Sequence, residues 1–128
     1  ERVDLTTINQ KMGQASSIAE ILEHTLSWRV FTIEMLKGNL GFDIKMNSET
    51  DWKNNAYSLE AYQKLVANFK NSQTELIALI EAKIGEKWLL TPVPNRNYDF
   101  TFLLNGIIQH DIYHIGQIVL LSKMYAEN

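Results

Sequence analysis

Apolar residues that recur every three or four positions are the feature that most constrains the fold of this chain. From Ser58 to about Ile84 the pattern continues for three heptads and includes one polar residue, Gln73: Leu59, Tyr62, Val66, Phe69, Gln73, Leu76 and Ile80. This spacing places the side chains on one face of a helix, as in the contact seam of a helical bundle. We interpret Gln73 as a core glutamine with a hydrogen-bond partner, and a role beside a polar site is the alternative. We expect Gly85 to end this helix.

The stretch before it carries clear start and stop signals for another helix. Ser17 can cap the helix, and Glu20 three residues later completes a capping box. Lys37 followed by Gly38 is typical of a helix end. The sequence therefore predicts a second long helix over residues 17–37, followed by a connector rich in Asn, Ser and Asp.

Near the beginning of the chain, Asp4 can cap a short helix within residues 4–12. A bundle of this kind usually begins with a longer helix. The chain starts at Glu1 rather than at Met, so we expect that the first helix is either short or continues upstream.

The last predicted helix runs from about residue 99 to Tyr125 and follows a loop that contains both prolines. Its apolar residues lie almost all the way round: Phe102, Leu103, Ile107, Ile108, Ile112, Ile115, Ile118, Val119 and Leu121. Such a helix is covered on more than one side. We expect it at the centre of the bundle, at a subunit interface, or at both, and we therefore expect a homodimer.

Four helices without the alternation and turns of β-hairpins predict an all-α protein, most simply an up-down four-helix bundle. At 128 residues, the whole chain, 1–128, is expected to form one domain.

Composition narrows the possible partners. The net charge is −3 and the basic residues are scattered, so neither a nucleic acid nor a membrane surface is an expected partner. The apolar runs are too short to span a bilayer. The absence of cysteine excludes disulfide bonds, restricts any metal ligands to nitrogen and oxygen, and is consistent with a cytoplasmic location.

The three histidines of the chain all fall on apolar faces of predicted helices. His110 and His114 lie one turn apart on the stripe Leu103, Ile107, His110, His114, Gln117 and Leu121. His24 lies on the stripe Ile21, His24, Trp28 and Phe31. Three imidazoles between facing helices can hold a metal and leave a position open for water or substrate. The alternative is that they are core histidines with hydrogen-bond partners.

Asp111 gives the last helix the motif H-D-x-x-H, which is close to the H-E-x-x-H of zinc peptidases. Those enzymes need a further ligand downstream, and the residues after His114 include no histidine and only one acid, Glu127. We therefore reject the peptidase interpretation. We expect Asp111 to bond a neighbouring helix, with Arg29 as a candidate partner, and a catalytic role as a base is the alternative.

Several neighbours of the histidines have two interpretations each. Gly106 either leaves room beside His110 or permits close helix packing. Trp28 either fills the core or forms a wall of the site. Tyr113 and Gln117 are candidates for hydrogen bonds to a metal-bound water. Glu20 is a candidate for orienting the ring of His24, in addition to its capping role.

Taken together, residues 17–38 and 98–121 resemble the DinB-like family of damage-inducible and thiol S-transferase-related proteins. The matching residues are Ser17, Ile18, His24, Trp28 and Arg29, and then the run from His110 to Ile118 with Tyr113, His114, Gly116 and Gln117 in place. The resemblance implies a four-helix bundle in which His24, His110 and His114 hold a divalent metal. Zinc or nickel is the expected metal, and imidazole ligands also suit iron, manganese or copper.

The function that the resemblance implies is that of a metal-dependent enzyme that activates a low-molecular-weight thiol for S-transfer. Within the enzyme class, the alternative is a metal-dependent hydrolase. From a different class, the alternative is a non-enzymatic, dimeric helical binding module.

Overall fold

The computed structural model describes residues 4–46 and 48–126, and its regular secondary structure is helical. The helices are α1 (Leu5–Asn9), α2 (Ile18–Lys37), α3 (Leu59–Glu81) and α4 (Phe100–Ala126), with a short 3₁₀ helix, Lys87–Leu90, before α4. In the described ranges no strand is present, and one isolated bridge pairs Pro92 with Asp99. The predicted all-α fold class is therefore confirmed. None of these helices combines the length and apolar character needed to cross a membrane.

The predicted boundaries of α2 are confirmed by its caps. The Glu20 backbone N–H donates to Ser17 Oγ at 3.2 Å, and the Ser17 N–H donates to Glu20 Oε1 at 2.9 Å. Gly38 ends the helix with φ 78°, a left-handed conformation that costs glycine little. The start of α2 and its direction are thus fixed by the local sequence.

The other predicted helices differ from the structure at their ends. Asp4 caps α1 as predicted, through a 2.9 Å bond from the Thr6 N–H, but α1 contains only five residues. Ser58 caps α3, which ends at Glu81, three residues before the predicted Ile84. A change of one turn at a helix end is common because terminal residues make fewer intrahelical bonds.

The apolar core has two parts, which lie on either side of a polar layer along α2. The first part joins the start of α2 to α1 and α3 through Ile8, Ala19, Leu22, Tyr57 and Leu65. The second joins the end of α2 to α3 and the start of α4, and it includes Phe31, Met35, Leu36, Leu76, Val93, Phe100 and Leu103. Between the two parts, His24, Thr25 and Arg29 are buried on α2. This polar layer contains the predicted site.

Of the two positions expected for α4, the centre of the bundle is wrong, because α2 occupies it, and the subunit interface stays a prediction. α2 packs against both α3 and α4. Thirteen of its 20 residues are buried, against five of the 27 residues of α4. The apolar residues of α4 that do not face α2 are therefore uncovered in the single chain.

Both interpretations of Gln73 are also wrong, because its side chain is exposed. The buried polar residue at this level of α3 is Ser72, which is 4% exposed and faces Arg29. Successive residues of a helix differ in direction by about 100°. The inward face of α3 passes through Leu65, Ser72 and Leu76, and it turns Gln73 toward the solvent.

Candidate metal centre

The structure brings the three predicted metal ligands together between α2 and α4. The Nε2 atoms of His24 and His110 lie 3.0 Å apart. The ring centroid of His114 lies 4.7 Å from that of His24 and 4.4 Å from that of His110. One ring nitrogen from each histidine lies within 4.8 Å of the other two. Three potential ligand atoms therefore converge on one small volume.

These distances fit a shared cation. Two nitrogens that each lie about 2.0–2.1 Å from a zinc ion are about 2.8–3.4 Å apart at angles of 90° to 109°. The 3.0 Å between the Nε2 atoms of His24 and His110 falls in this range. The three-histidine group could therefore hold a metal ion, and nitrogen donors of this kind suit zinc, nickel, copper and iron.

Burial keeps the ring of His110 neutral. Desolvation, and then the neighbouring His114 and His24, lower the pKa of His110 to about 4. Desolvation also lowers the pKa of His24, against an opposing effect of its hydrogen bond to the Asp51 backbone. Metals bind imidazole in its neutral form. These two rings are therefore in the protonation state that a cation requires.

His110 does not behave as a satisfied core histidine. Its Nδ1 is buried, and among the described residues it has no hydrogen-bond partner. Its Nε2 contacts another imidazole, His24 Nε2. A buried polar atom without a partner is costly to folding. The core interpretation requires a hydrogen-bond partner for each ring nitrogen, so this observation counts against it for His110.

Asp51, in the connector between α2 and α3, orients the ring of His24. His24 Nδ1 donates to the Asp51 backbone oxygen at 2.9 Å and lies 3.0 Å from Asp51 Oδ1. Trp28 Nε1 donates to the same Oδ1 at 2.6 Å, which holds the carboxylate in place. Because both neighbours of Nδ1 are acceptors, the proton lies on Nδ1 and the lone pair of Nε2 faces the other histidines.

The ring of His24 is also fixed by stacking. The ring of Trp52 lies parallel to it, with centroids 3.7 Å apart and an interplanar angle of 6°. Neither Asp51 nor Trp52 was identified from the sequence, because a connector has no periodic pattern to interpret. The available signal was an Asp-Trp pair in an otherwise polar segment.

Glu20 does not have the orienting role that we considered for it. Its Oε1 accepts from the Ser17 N–H and its Oε2 from the Asn55 N–H, at 2.9 and 3.0 Å. Lys11 Nζ lies 3.3 Å from the same Oε2. The carboxylate therefore ties the start of α2 to the connector.

His114 has its own orienting partner on α4. Its Nδ1 lies 2.7 Å from Gln117 Oε1, so the ring donates to the amide oxygen and its Nε2 remains available. Gln117 was predicted as a partner of a metal-bound water, and in the structure it contacts the ligand ring. Tyr113 is 63% exposed, and its ring centroid lies 5.0 Å from that of His114.

Asp111 contacts Arg29, as the sequence suggested. Arg29 Nη2 donates to Asp111 Oδ2 at 2.7 Å, while Arg29 Nη1 donates to the Phe69 backbone oxygen at 3.1 Å and to Ser72 Oγ at 3.2 Å. The guanidinium also lies 4.0 Å from the centroid of the Phe69 ring. These contacts join α2, α3 and α4 and support the structural role of Asp111. Its catalytic role stays a prediction.

Two cavities flank the histidine group. One of about 170 Å³ lies beside His110 and is lined in part by Trp28 and Gly106. A Cβ atom added at Gly106 would have nothing within 4 Å, so Gly106 leaves room and does not serve close helix packing. Trp28 packs against the apolar core and also forms a wall of this cavity. The second cavity, of about 570 Å³, lies beside His114.

A helical bundle with three histidines on two facing helices defines a class of protein that can be compared with known families. The sequence model of the DinB superfamily matches residues 3–118. The chain belongs to the DinB superfamily, as the resemblance implied. No curated protein and no solved structure matches it.

Proposed function

We propose that this protein is a metal-dependent enzyme in which His24, His110 and His114 hold a divalent metal. Zinc or nickel is the metal that we favour, and iron or manganese would also suit the ligands. The observation that carries the proposal is the convergence of three imidazoles, which bring one ring nitrogen each to within 4.8 Å of the other two. Three protein ligands leave a coordination position for a substrate.

The proposed substrate is a low-molecular-weight thiol. A divalent cation in this position would lower the pKa of a thiol and favour the nucleophilic thiolate for transfer of its sulfur to an electrophile. Asp51 and Gln117 would hold two of the ligand rings in position, which limits reorganisation when substrate binds. The cavity beside His114 offers a route for a small molecule to the histidine group.

Metal content tests this proposal directly. We expect protein purified without a histidine tag to contain about one metal ion per chain by elemental analysis, and the His110→Ala variant to lose it. Gln109→Ala changes an exposed neighbour on α4 and serves as the matched control. Unchanged metal content in His110→Ala would exclude the assigned ligand set.

A hydrolase is the alternative within the enzyme class, with water in the place of the thiol. The two activities are separated by assaying the metal-loaded protein with thiol and electrophile pairs and with ester substrates. Turnover of esters without any thiol would favour the hydrolase.

The exposed apolar face of α4 supports a further proposal, that the chain forms a homodimer through this face. Ile108, Ile112, Ile115 and Val119, which share one face of the helix, are 56%, 68%, 42% and 46% exposed in the single chain. Contiguous apolar surface of this kind is typical of interaction sites. Light scattering should show a dimer that Ile112→Glu disrupts and Ile77→Glu, at an exposed isoleucine of α3, does not. A monomer at high concentration would contradict the proposal.

The same face keeps the non-enzymatic dimeric module as a second candidate function. That candidate requires normal folding and dimerisation in the presence of a chelator and no stoichiometric metal. We also propose a small-molecule partner, with neither nucleic acid nor membrane, and a cytoplasmic location, since the net charge is −3 and cysteine is absent.

A further inference from the structure

The cavity beside His114 has uncharged walls. It measures about 570 Å³, and none of the described residues that line it is Lys, Arg, Asp or Glu. Its walls include the rings of Trp52 and Tyr113 and the side chains of Ile21, Leu120 and Leu121. An apolar wall with two aromatic rings favours a flat, apolar ligand.

Most of the charged residues that neighbour these walls in the sequence are engaged with one another, whereas Lys123, one turn after Leu120 on α4, is exposed. Glu20 lies 3.3 Å from Lys11, and Lys53 lies 2.9 Å from Glu23. The Asp51 carboxylate accepts from the Trp28 indole and contacts His24. A charged group of a ligand beside the buried residues Ile21 and His114 would therefore lose water without gaining a counter-charge from the wall, which is unfavourable.

We infer that the cavity holds the uncharged, apolar body of the substrate thiol, with the sulfur directed toward His114. This inference rests on the proposed function, because the sulfur is the group that reaches the open coordination position. The physical basis is the match between an uncharged wall and an uncharged ligand, so thiols that carry carboxylates are disfavoured.

A matched pair of thiols tests the inference. Phenylmethanethiol and its para-carboxylate share one scaffold and differ by a single negative charge. Both are titrated into protein loaded with cobalt(II), whose absorption spectrum changes when a thiolate coordinates. We expect the carboxylate to bind at least about tenfold more weakly than phenylmethanethiol.

A positive charge added to the cavity wall should reduce the difference in affinity between the two thiols. Leu120 lines the cavity and is 59% exposed, so Leu120→Lys is accommodated without burying its ammonium group. We expect this variant to improve the relative affinity of the carboxylate by about threefold or more. Ser122→Lys adds the same charge at an exposed position of α4 that does not line the cavity, and it should leave the ratio unchanged.

The outcomes separate this inference from the proposed function. Equal or tighter binding of the carboxylate to the unmodified protein would overturn the inference and leave the proposed function standing. A protein that binds no cobalt(II), or that binds it but responds to neither thiol, would overturn both. Tenfold discrimination that Leu120→Lys narrows and Ser122→Lys does not would support the inference.

Discussion

Two polar groups lie side by side between α2 and α4. In the closed group the charge of Arg29 is balanced within the chain by Asp111, although Arg29 Nε and Asp111 Oδ1 have no hydrogen-bond partner among the described residues. In the open group three imidazoles converge and could hold a cation. Arg29 meets a carboxylate, a hydroxyl and a backbone oxygen, all within 3.2 Å. The histidine group lies beside it, with one imidazole from α2 and two from α4, and the ring nitrogens face one another. The first group is joined by a salt bridge, whereas the second offers three ring nitrogens to one cation.

The difference separates a structural role from a functional one. A buried ion pair that is closed by hydrogen bonds joins helices and fixes their relative position. Ring nitrogens that converge on one small volume can share a cation as their common partner. We therefore expect the Arg29 group to determine stability and the histidine group to determine metal binding.

The largest expected effect comes from breaking the closed group. Arg29→Ala leaves Asp111 with its side chain 16% exposed and without its counter-charge, so the free energy of unfolding should fall by about 3–5 kcal/mol. Chemical denaturation measures this loss, and the metal content of the folded variant should stay unchanged. Asp111→Asn keeps a hydrogen-bond acceptor and should cost less. A loss below about 1 kcal/mol for Arg29→Ala would contradict the structural role.

Metal removal should have the next largest effect. At a free metal concentration of 100 times Kd, binding to the folded state stabilises it by about 2.7 kcal/mol. We expect a chelator to remove this stabilisation from the unmodified protein and to have no effect on His110→Ala. Identical denaturation midpoints for the unmodified protein with metal and with chelator would contradict the proposed site.

A smaller effect is expected when the orientation of His24 is weakened. Asp51→Asn keeps the backbone acceptor for His24 Nδ1 but removes the carboxylate, so metal affinity should fall by about 10- to 100-fold. Competition with a chelator of known affinity measures the change. Asp99→Asn is the matched control, because Asp99 caps α4 through the Phe102 N–H, away from the histidines, and Asn is an equally good cap. Equal affinities for Asp51→Asn and Asp99→Asn would show that Asp51 does not support the site.

The closed and the open group were predictable from the sequence to different degrees. His24, His110 and His114 lie on the apolar stripes of long helices, so periodicity alone placed them on facing surfaces. Their partners could not be found in this way. Asp51 and Trp52 reach the site from an irregular connector, and their position depends on how that connector packs.

The errors on α3 and α4 have a common physical origin. A hydrophobic pattern shows which residues avoid water, but it does not show which neighbour covers them. Apolar residues on nearly all sides of α4 therefore suggested that α4 is central. In the single chain, α2 has that position. On α3, Ser72 faces inward, where it contacts Arg29, and Gln73 therefore faces the solvent. This orientation depends on a residue of another helix, α2.

The smallest effect concerns the open space beside the histidine group. Gly106 lies in the interior of α4 one turn before His110, and a Cβ atom there would meet nothing within 4 Å. Because glycine costs a helix interior about 0.5–1 kcal/mol relative to alanine, Gly106→Ala should raise the free energy of unfolding by that amount. Gly116→Ala, on the same helix and with the same free space, should give an equal gain and is the matched control.

Gly106 differs from Gly116 in lining the cavity beside His110, so only its substitution narrows that space. A loss of stability for Gly106→Ala, with a gain for Gly116→Ala, would mean that α2 and α4 close on each other at this level as they do around Arg29. The contrast between a closed and an open polar group would then fail. Equal gains would show that the space beside His110 is not required for packing. Gly106 would then lower the stability of α4 at the level where the histidines converge.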